Sequence, residues 1–462
     1  MKSLKITLDD FFNLPGAVIY NPDEFKPVKK VSIDSRNISK NTLFVAIKGK
    51  RTDGHKYIKE AITNGASAVM ISKKRVKDFS SIKIPVIAVD NTTKAYGNLA
   101  NLWRQKLNAK VIGLTGSNGK TSTKEMIATL LSAKYSVTKS VANNNNHIGV
   151  PLTLFTANEK TQAVVLEEGT NHFGEIEYIA KISEPDLSLI TNIGDSHLEF
   201  LVDRDGVFKE KSYLLSVTDD NNGTILINND DPYLSKSKKN YKDVITYGFK
   251  GKVDIKGRLI GFSQYGYPEV EIIGKGKKLK VILPLLGESN VKNYLATVAV
   301  AITFGLTKKE IIDATKKFEV VKGRLNPIIS ETTMLIDDTY NSNPDSVRAA
   351  VDLLSQIKKY KRRILILGDM LELGKGKEKL HADLKDYIMK SKVDEVYMHG
   401  KLMKNLYEAL PSTKIATLHF TLRESLKRFA NVMDINDSVI LIKGSRGMKM
   451  EEFVEIIKKR MQ

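Results

Sequence analysis

The chain has no cysteine, which excludes disulfides and thiolate metal sites and is compatible with a reducing compartment. No apolar run reaches transmembrane length. The opening stretch, MKSLKITLDDFFNLPG, lacks the long apolar core of a secretion signal and carries acidic residues. The expectation is a cytoplasmic protein without membrane insertion. Internal repeats and low-complexity tracts are missing too, and the linkers are short. Acidic residues are outnumbered, 53 against 73 Lys plus Arg, for a net charge of +20. The lysines are nonetheless spread from end to end. Short clusters such as KKYKRR (358–363) precede a strand, and no aromatic-interleaved basic stripe is present. The excess therefore reads as solvated surface, or as a match for a polyanionic small substrate, rather than as a nucleic-acid site.

What is present is an ordinary soluble composition, 42% apolar and 27% charged. At 462 residues the chain is too long for one core and suggests about three domains. Its organising stretch is VIGLTGSNGKTS (111–122). Val111 to Thr115 read as a short buried strand, and a helical pattern runs through Leu131. Between them lies a loop holding Gly116 and Gly119 and ending in Lys120, Thr121 and Ser122. The strict GxxxxGK[ST] spacing fails, because Leu114 stands where the first glycine would be; this is the shorter TGxxGKT form. Glycines let backbone N–H groups close around phosphate oxygens, and the helix N-terminus adds favourable partial charge. Lys120 would then reach the outer phosphates and the Thr121 hydroxyl would hold Mg²⁺.

Residues 1–108 read as a small α/β domain, with strands at 31–36, 42–49, 67–72 and 85–90 and helices at 56–64 and 92–107. Two polar clusters interrupt it, Asp34-Ser35-Arg36 and Lys48-Gly49 with Asp53-Gly54-His55. Each alone is turn chemistry; together they would form a phosphate- or nucleotide-binding edge. Residues 109–322 read as a central phosphate-loop domain with a doubly wound parallel sheet, from strands at 163–169, 187–194 and 224–230. Glu167 and Glu168, His197, and Asn143 to Asn146 fall at the strand ends where ligands of such sheets bind. GESNVKNYLA (287–296) opens a helix with Asn290 as a cap and Asn293 one turn on, both able to meet a purine edge. Residues 323–462 give a third, Rossmann-like domain with strands at 333–338, 363–369, 394–400 and 438–444. Its strand ends carry Asp337, Asp338, Tyr340 to Asn343, Asp369, Glu372, His399, Lys443, Ser445 and Arg446.

Taken together, IDSR with LFVAIKG and DGH, TGSNGKTS, NNNNHIGVPLT, EEGTNHFGEI, TNIGDSHLEF, FKEKS, GESNVKN, KGRLNP, DDTYNSNP, LGDMLELG and KGSRGMKME resemble the Mur ligase family over the whole length. The resemblance implies a UDP-substrate domain, an ATP-binding domain and a C-terminal ligase domain. Within the family, DDTYNSNP and LGDMLELG are similar to the branch that adds D-alanyl-D-alanine to UDP-N-acetylmuramoyl-tripeptide. Met398-His399-Gly400 stands where a diaminopimelate-adding relative would show DNPR.

By that resemblance Thr115 to Ser122 (Thr115, Gly116, Ser117, Asn118, Gly119, Lys120, Thr121, Ser122) bind ATP, with Asn290, Asn293, Arg324 and Asp337. Thr121, Glu167 and His197 hold two Mg²⁺ ions. Lys211, the second lysine of KEK, carries a carbamate that acts as an anionic ligand, with Lys209 as its rival. Lys120, Glu167, His197, Lys211 and Arg324 form the catalytic set, and Arg324 reaches the γ-phosphate. Ser35, Arg36, Asn144, Asn145, Asn146, Asn171 and His172 line the UDP-muramyl-peptide. A monomer is expected. Ser289 replaces a family histidine, and Glu168 stands where an apolar residue is usual. The competing readings are a diaminopimelate- or lysine-adding ligase, a folylpolyglutamate synthase, and a nucleic-acid-linked NTPase. The last leaves His197, the Asn pair and the third domain without a role.

Overall fold

The computed structural model describes residues 5–411 and 415–462. Three sheets lie along the chain, of five, nine and six strands. The first runs Val18–Tyr20, Val86–Val89, Ala66–Ser72, Thr42–Val45, Lys30–Ser32, parallel except for its first, antiparallel edge strand. That edge strand and the short helix Leu8–Phe12 carry too few residues to show a period, and the sequence pattern does not reveal them.

The nine-stranded sheet is where structure and expectation part. Seven strands are parallel, in the order Ile255–Phe262, Val244–Gly248, Thr224–Asn228, Leu187–Ile190, Lys110–Thr115, Ala163–Glu167, Val137–Lys139. Beyond Ile255–Phe262 two further strands, Pro268–Gly274 and Lys277–Ile282, pair antiparallel and extend the sheet as an arm. The phosphate-loop strand Lys110–Thr115 sits between Leu187–Ile190 and Ala163–Glu167, so the ends of all three strands open onto one cleft. Helices Lys120–Leu131 and Gly287–Thr303 pack on one face over a core that includes Ile127, Leu130, Leu189, Leu226, Val291 and Leu295. On the other face Leu214 of the helix Arg204–Asp220 packs with Ile176 and Ala180.

The helix Thr92–Lys106 is shared. Its Tyr96, Leu99 and Trp103 join Leu43 and Met70 of the first sheet to Val164 of the second and to Val150 and Leu154 of the helix Gly149–Thr156 in one apolar core. Trp103 Nε1 donates to the Ala157 carbonyl at 3.1 Å, which satisfies the indole inside that core.

The third sheet runs Asn326–Ile329, Thr333–Asp338, Ser438–Lys443, Arg362–Gly368, Glu395–His399, Ala416–Phe420. Only Asn326–Ile329 is antiparallel. Both faces are covered by helices, and the carboxyl ends of its strands turn toward the phosphate loop.

Candidate active site

The phosphate loop is held open by its glycines and stapled from below. Gly116 has φ +150°, and a Cβ there would lie 1.9 Å from Thr191 Oγ1. Gly119 has φ +83°, and a Cβ would lie 2.2 Å from Asn293 Oδ1. Neither position accepts another residue without displacing a neighbour. Asn118 N donates to Asn192 Oδ1 at 3.0 Å, and Thr191 Oγ1 donates back to the Asn118 carbonyl at 2.6 Å. Ser117 Oγ donates to the Gly194 carbonyl at 3.1 Å and accepts from Gly194 N at 2.8 Å. The segment TNIGDS (191–196) thus fixes the loop. Ser117 and Asn118 are therefore engaged with protein partners, while Ser122 lies half-buried in the first helical turn.

Lys120 curls over the loop and donates from Nζ to the Gly116 carbonyl at 2.7 Å. Burial lowers its pKa and the Arg324 charge pushes the same way, against the pull of Glu167. Thr121 is buried, and its Oγ1 accepts from Arg324 Nη2 at 3.0 Å. Arg324 comes from the start of the third domain and lies over the Tyr340 ring, 4.2 Å from its centroid.

Glu167 closes its strand at the floor of the cleft. Asn145 Nδ2 donates to its Oε1 at 3.1 Å, while Oε2 is buried without a hydrogen-bond partner. Thr115 Oγ1 and Lys211 Nζ are orphaned in the same way. Lys211 is fully buried, whereas Lys209, two residues before it on the same helix, is exposed. The helix thus turns only one of the two rivals inward. Burial drives the Lys211 pKa well down, and the Lys120 charge adds to this against Glu210 and Glu167. Glu210 faces the other way and anchors the helix. Its carboxylate accepts from Gly174 N at 2.7 Å and Ile176 N at 2.8 Å, at the positive end of the helix Glu175–Ser183.

His197 has its Nδ1 2.9 Å from Glu372 Oε2. Burial lowers its pKa, Lys120 and Lys211 add to that, and Glu372 opposes it. Lys120, Glu167, His197, Lys211, Thr121 and Arg324 are therefore gathered at one cleft. Among the described residues no three His, Asp or Glu side chains converge on a ready-made metal site. The orphaned oxygens of Glu167 and Thr115 and the buried amine of Lys211 nonetheless leave polar atoms that suit a cation shared with a phosphate.

The remaining expected residues have the following places. The helix Gly287–Thr303 is capped at Leu286, so Asn290 is not its cap; Asn290 Nδ2 donates to the Leu286 carbonyl at 2.9 Å, and only Asn293 meets the phosphate loop. Asp337 Oδ1 accepts from Thr339 N at 3.2 Å and Thr339 Oγ1 at 2.6 Å. Asp338 pairs with Lys443 Nζ at 2.7 Å, and burial raises its pKa. Asp369 caps the turn at Leu402 and Met403. Asn144 packs under Gly149, and Asn146 Oδ1 caps the helix Gly149–Thr156 by accepting from Gly149 N at 2.9 Å. Asn171 and His172 are exposed, the His172 ring lying 4.5 Å from that of Phe200.

In the first domain Ser35 Oγ donates to Glu60 at 2.9 Å, and Arg36 is exposed and paired with Asp34. The edge suggested by Asp53-Gly54-His55 is structural: the buried His55 ring bridges Asp53 Oδ1 at 2.6 Å to Ser72 N at 3.0 Å. Sequence reasoning did not single out Asn192, Glu210 or Asp345, whose roles depend on contacts far along the chain. Asp345 begins the third domain's helix Pro344–Gln356 and meets Arg204 Nη2 at 3.3 Å.

A phosphate loop between an N-terminal α/β sheet and a Rossmann-like third sheet defines a class, the three-domain ATP-dependent amide ligases. The chain belongs to the Mur ligase family. The profile described as the Mur ligase middle domain matches residues 114–301, the glutamate ligase domain 323–446, and the catalytic domain of the family 27–104. Within it, the chain is 33% identical to the UDP-N-acetylmuramoyl-tripeptide–D-alanyl-D-alanine ligase of Bacillus subtilis, covering 98% of each chain. A crystal structure of MurF from Acinetobacter baumannii is 29% identical, with a TM-score of 0.87 over 99% of this chain and 100% of that one. A MurF ligase from Thermotoga maritima, solved in complex with ADP, is 27% identical, with a TM-score of 0.82 over 94% of this chain and 97% of that one.

Proposed function

We propose that this chain is an ATP-dependent ligase that joins D-alanyl-D-alanine to UDP-N-acetylmuramoyl-tripeptide, giving the pentapeptide precursor of peptidoglycan, ADP and phosphate. The observation that carries the reading is the cross-domain cluster at the phosphate loop, in which Arg324 of the third domain reaches Thr121 of the second. Relatives of nearly the same length, which carry that name, support the choice of substrates.

A carboxylate is a poor electrophile, and an ammonium has no free lone pair. Transfer of the γ-phosphoryl group of ATP to the terminal carboxylate of the tripeptide makes an acyl phosphate, a competent electrophile. The dipeptide amine attacks the acyl carbon, the tetrahedral intermediate collapses, and phosphate leaves. Two anions must meet in the first step, and Lys120 and Arg324 neutralise the charge that builds there. Thr121, Glu167 and His197 would hold two Mg²⁺ ions, which supply further neutralisation of the phosphates. Lys211, a buried and neutral-prone amine, is the side chain suited to carbamylation, which would turn it into an anionic ligand. Docking of the third domain excludes water and orients the amine, an effect worth on the order of 7–11 kcal/mol in the best cases.

Asn293 and Asp337 would face the nucleotide. Ser35, Arg36, Asn144 to Asn146, Asn171 and His172 would line the path of the UDP-muramyl-peptide. All of these lie within one chain, so a monomer suffices. No helix among the described residues is long and apolar enough to cross a membrane, and we place the reaction in the cytoplasm, where ATP is supplied. The test is phosphate release from ATP with each acceptor omitted in turn. Release should require both the muramyl-tripeptide and D-alanyl-D-alanine. Release supported by glutamate, lysine or diaminopimelate in place of the dipeptide would overturn the reading.

A further inference from the structure

His197 and Glu372 belong to different domains, yet they meet at 2.9 Å through Nδ1 and Oε2. His197 precedes the short helix Leu198–Leu201 of the central domain, and Glu372 lies in the loop after the strand Arg362–Gly368 of the third. Both hold left-handed backbones, φ +54° and +61°, although neither is glycine. Such a conformation persists only where the surroundings over-determine it, and it clusters at functional sites.

The surroundings here do over-determine it. Glu199 N donates to the Glu372 carbonyl at 3.2 Å. Gly374, at φ +63°, approaches so closely that a Cβ would lie 3.0 Å from the Glu199 backbone. Nearby, Asn343 Nδ2 donates to Asn118 Oδ1 at 2.9 Å, and Arg204 joins Asp195 at 2.7 Å to Asp345 at 3.3 Å. The third domain is thus docked on the central one through several contacts, of which His197–Glu372 is one.

A carboxylate accepts and does not donate, so Glu372 places the imidazole hydrogen on Nδ1 and leaves the lone pair on Nε2. That is the tautomer and ring orientation a cation-ligating histidine needs, and such outer partners commonly set metal affinity. From this contact we infer that Glu372 is a positioning residue for His197, delivered by docking of the third domain, so that cation affinity and domain docking are coupled. The inference rests on the reading of His197 as a cation ligand. Because coupling free energies are reciprocal, a cation bound at His197 favours the docked arrangement in turn.

The test is Mn²⁺ binding, followed by electron paramagnetic resonance and calorimetry on the full chain with a non-hydrolysable ATP analogue. Small-angle scattering of the same samples reports compaction. Wild type is expected to bind two Mn²⁺ and His197→Ala to lose one. Glu372→Ala should weaken that one on the order of 10–100-fold and reduce the Mn²⁺-dependent compaction. Glu372→Gln, whose amide oxygen still accepts from Nδ1–H, should stay near wild type. If His197→Ala loses a Mn²⁺ but Glu372→Ala binds both with wild-type affinity, the positioning role is overturned and the ligand role of His197 stands. If His197→Ala keeps both unchanged, the reading of His197 fails and this inference with it.

Discussion

Arg324 crosses from the third domain to donate a hydrogen bond to Thr121 Oγ1 at 3.0 Å, with its guanidinium laid over the Tyr340 ring. The contact describes an arginine held in reach of the phosphates, its planar guanidinium supported by a ring on which a lysine ammonium cannot stack in the same flat manner. Arg324→Ala is expected to lower the rate of phosphate release with all substrates saturating on the order of 10³-fold, the low end for an arginine that stabilises phosphoryl-transfer charge. Arg324→Lys should recover little of it. Wild-type turnover in Arg324→Ala would detach this residue from the chemistry.

Gly119 supplies a second prediction, for the nucleotide grip. Its φ of +83° and the 2.2 Å separation that a Cβ would have from Asn293 Oδ1 act together. The left-handed backbone alone costs about 1–2 kcal/mol for a non-glycine residue; a free loop that relaxes to escape this cost must regain it on binding, roughly a tenfold loss in affinity. Gly119→Ala should therefore weaken ATP binding by at least about tenfold in a direct titration. In an Asn293→Ala background, which lacks the blocking amide, Gly119→Ala should cost less affinity than it does in wild type. An equal cost in both backgrounds would show that strain, not the clash, decides the effect.

How much of this was legible in the sequence follows from how local each signal is. The phosphate loop, the strands 163–167, 187–190 and 438–443, and the placing of Glu167 at a strand end follow from short-range pattern, and they are where the pattern puts them. The antiparallel arm falls outside the parallel βα pattern of the domain, although its turn, Lys275-Gly276 between alternating strands, is a local hairpin signal. Asn290 looked like a helix cap because amides cap helices, but the helix begins at Gly287, three residues earlier. The choice between Lys209 and Lys211 needed the direction in which one helix face is turned, which sequence spacing does not give. Glu372 appeared as one polar strand-end residue among many, since its partner His197 is 175 positions away.

Lys211 yields a prediction specific to its buried amine. With no hydrogen-bond partner on Nζ and its pKa driven down by burial, its environment favours the uncharged amine, the form that takes up carbon dioxide. Lys211→Ala should lose activity that added short-chain carboxylates partly restore, because they replace the missing anionic oxygens. Lys211→Arg should stay inactive, since a guanidinium cannot be carbamylated in this way. Normal activity in Lys211→Arg, with no rescue of Lys211→Ala, would make Lys211 a structural lysine.

The last prediction concerns acid stability and follows from His381. This buried histidine lies on the helix Lys377–Ala382; its Nε2 accepts from Met370 N at 3.0 Å, and its Nδ1 donates to the Lys377 carbonyl at 2.6 Å. A ring that accepts on one nitrogen and donates on the other is neutral, and burial lowers its pKa below the ordinary 6.5 against the Lys377 carbonyl, Asp369 and Glu378. The folded state thus binds fewer protons than the unfolded one. Stability from this residue is present above about pH 6.5 and is lost as the pH falls through and below it, by up to about 1.4 kcal/mol per pH unit. His381→Gln, which keeps a polar side chain but does not titrate, should be less stable than wild type at pH 7.5, with the gap closing toward pH 5. Thermal transitions of both proteins across that range measure it, and a gap that stays constant would refute the assignment. Because Met370 lies two residues before Glu372, protonation of His381 should also loosen the loop that reaches His197.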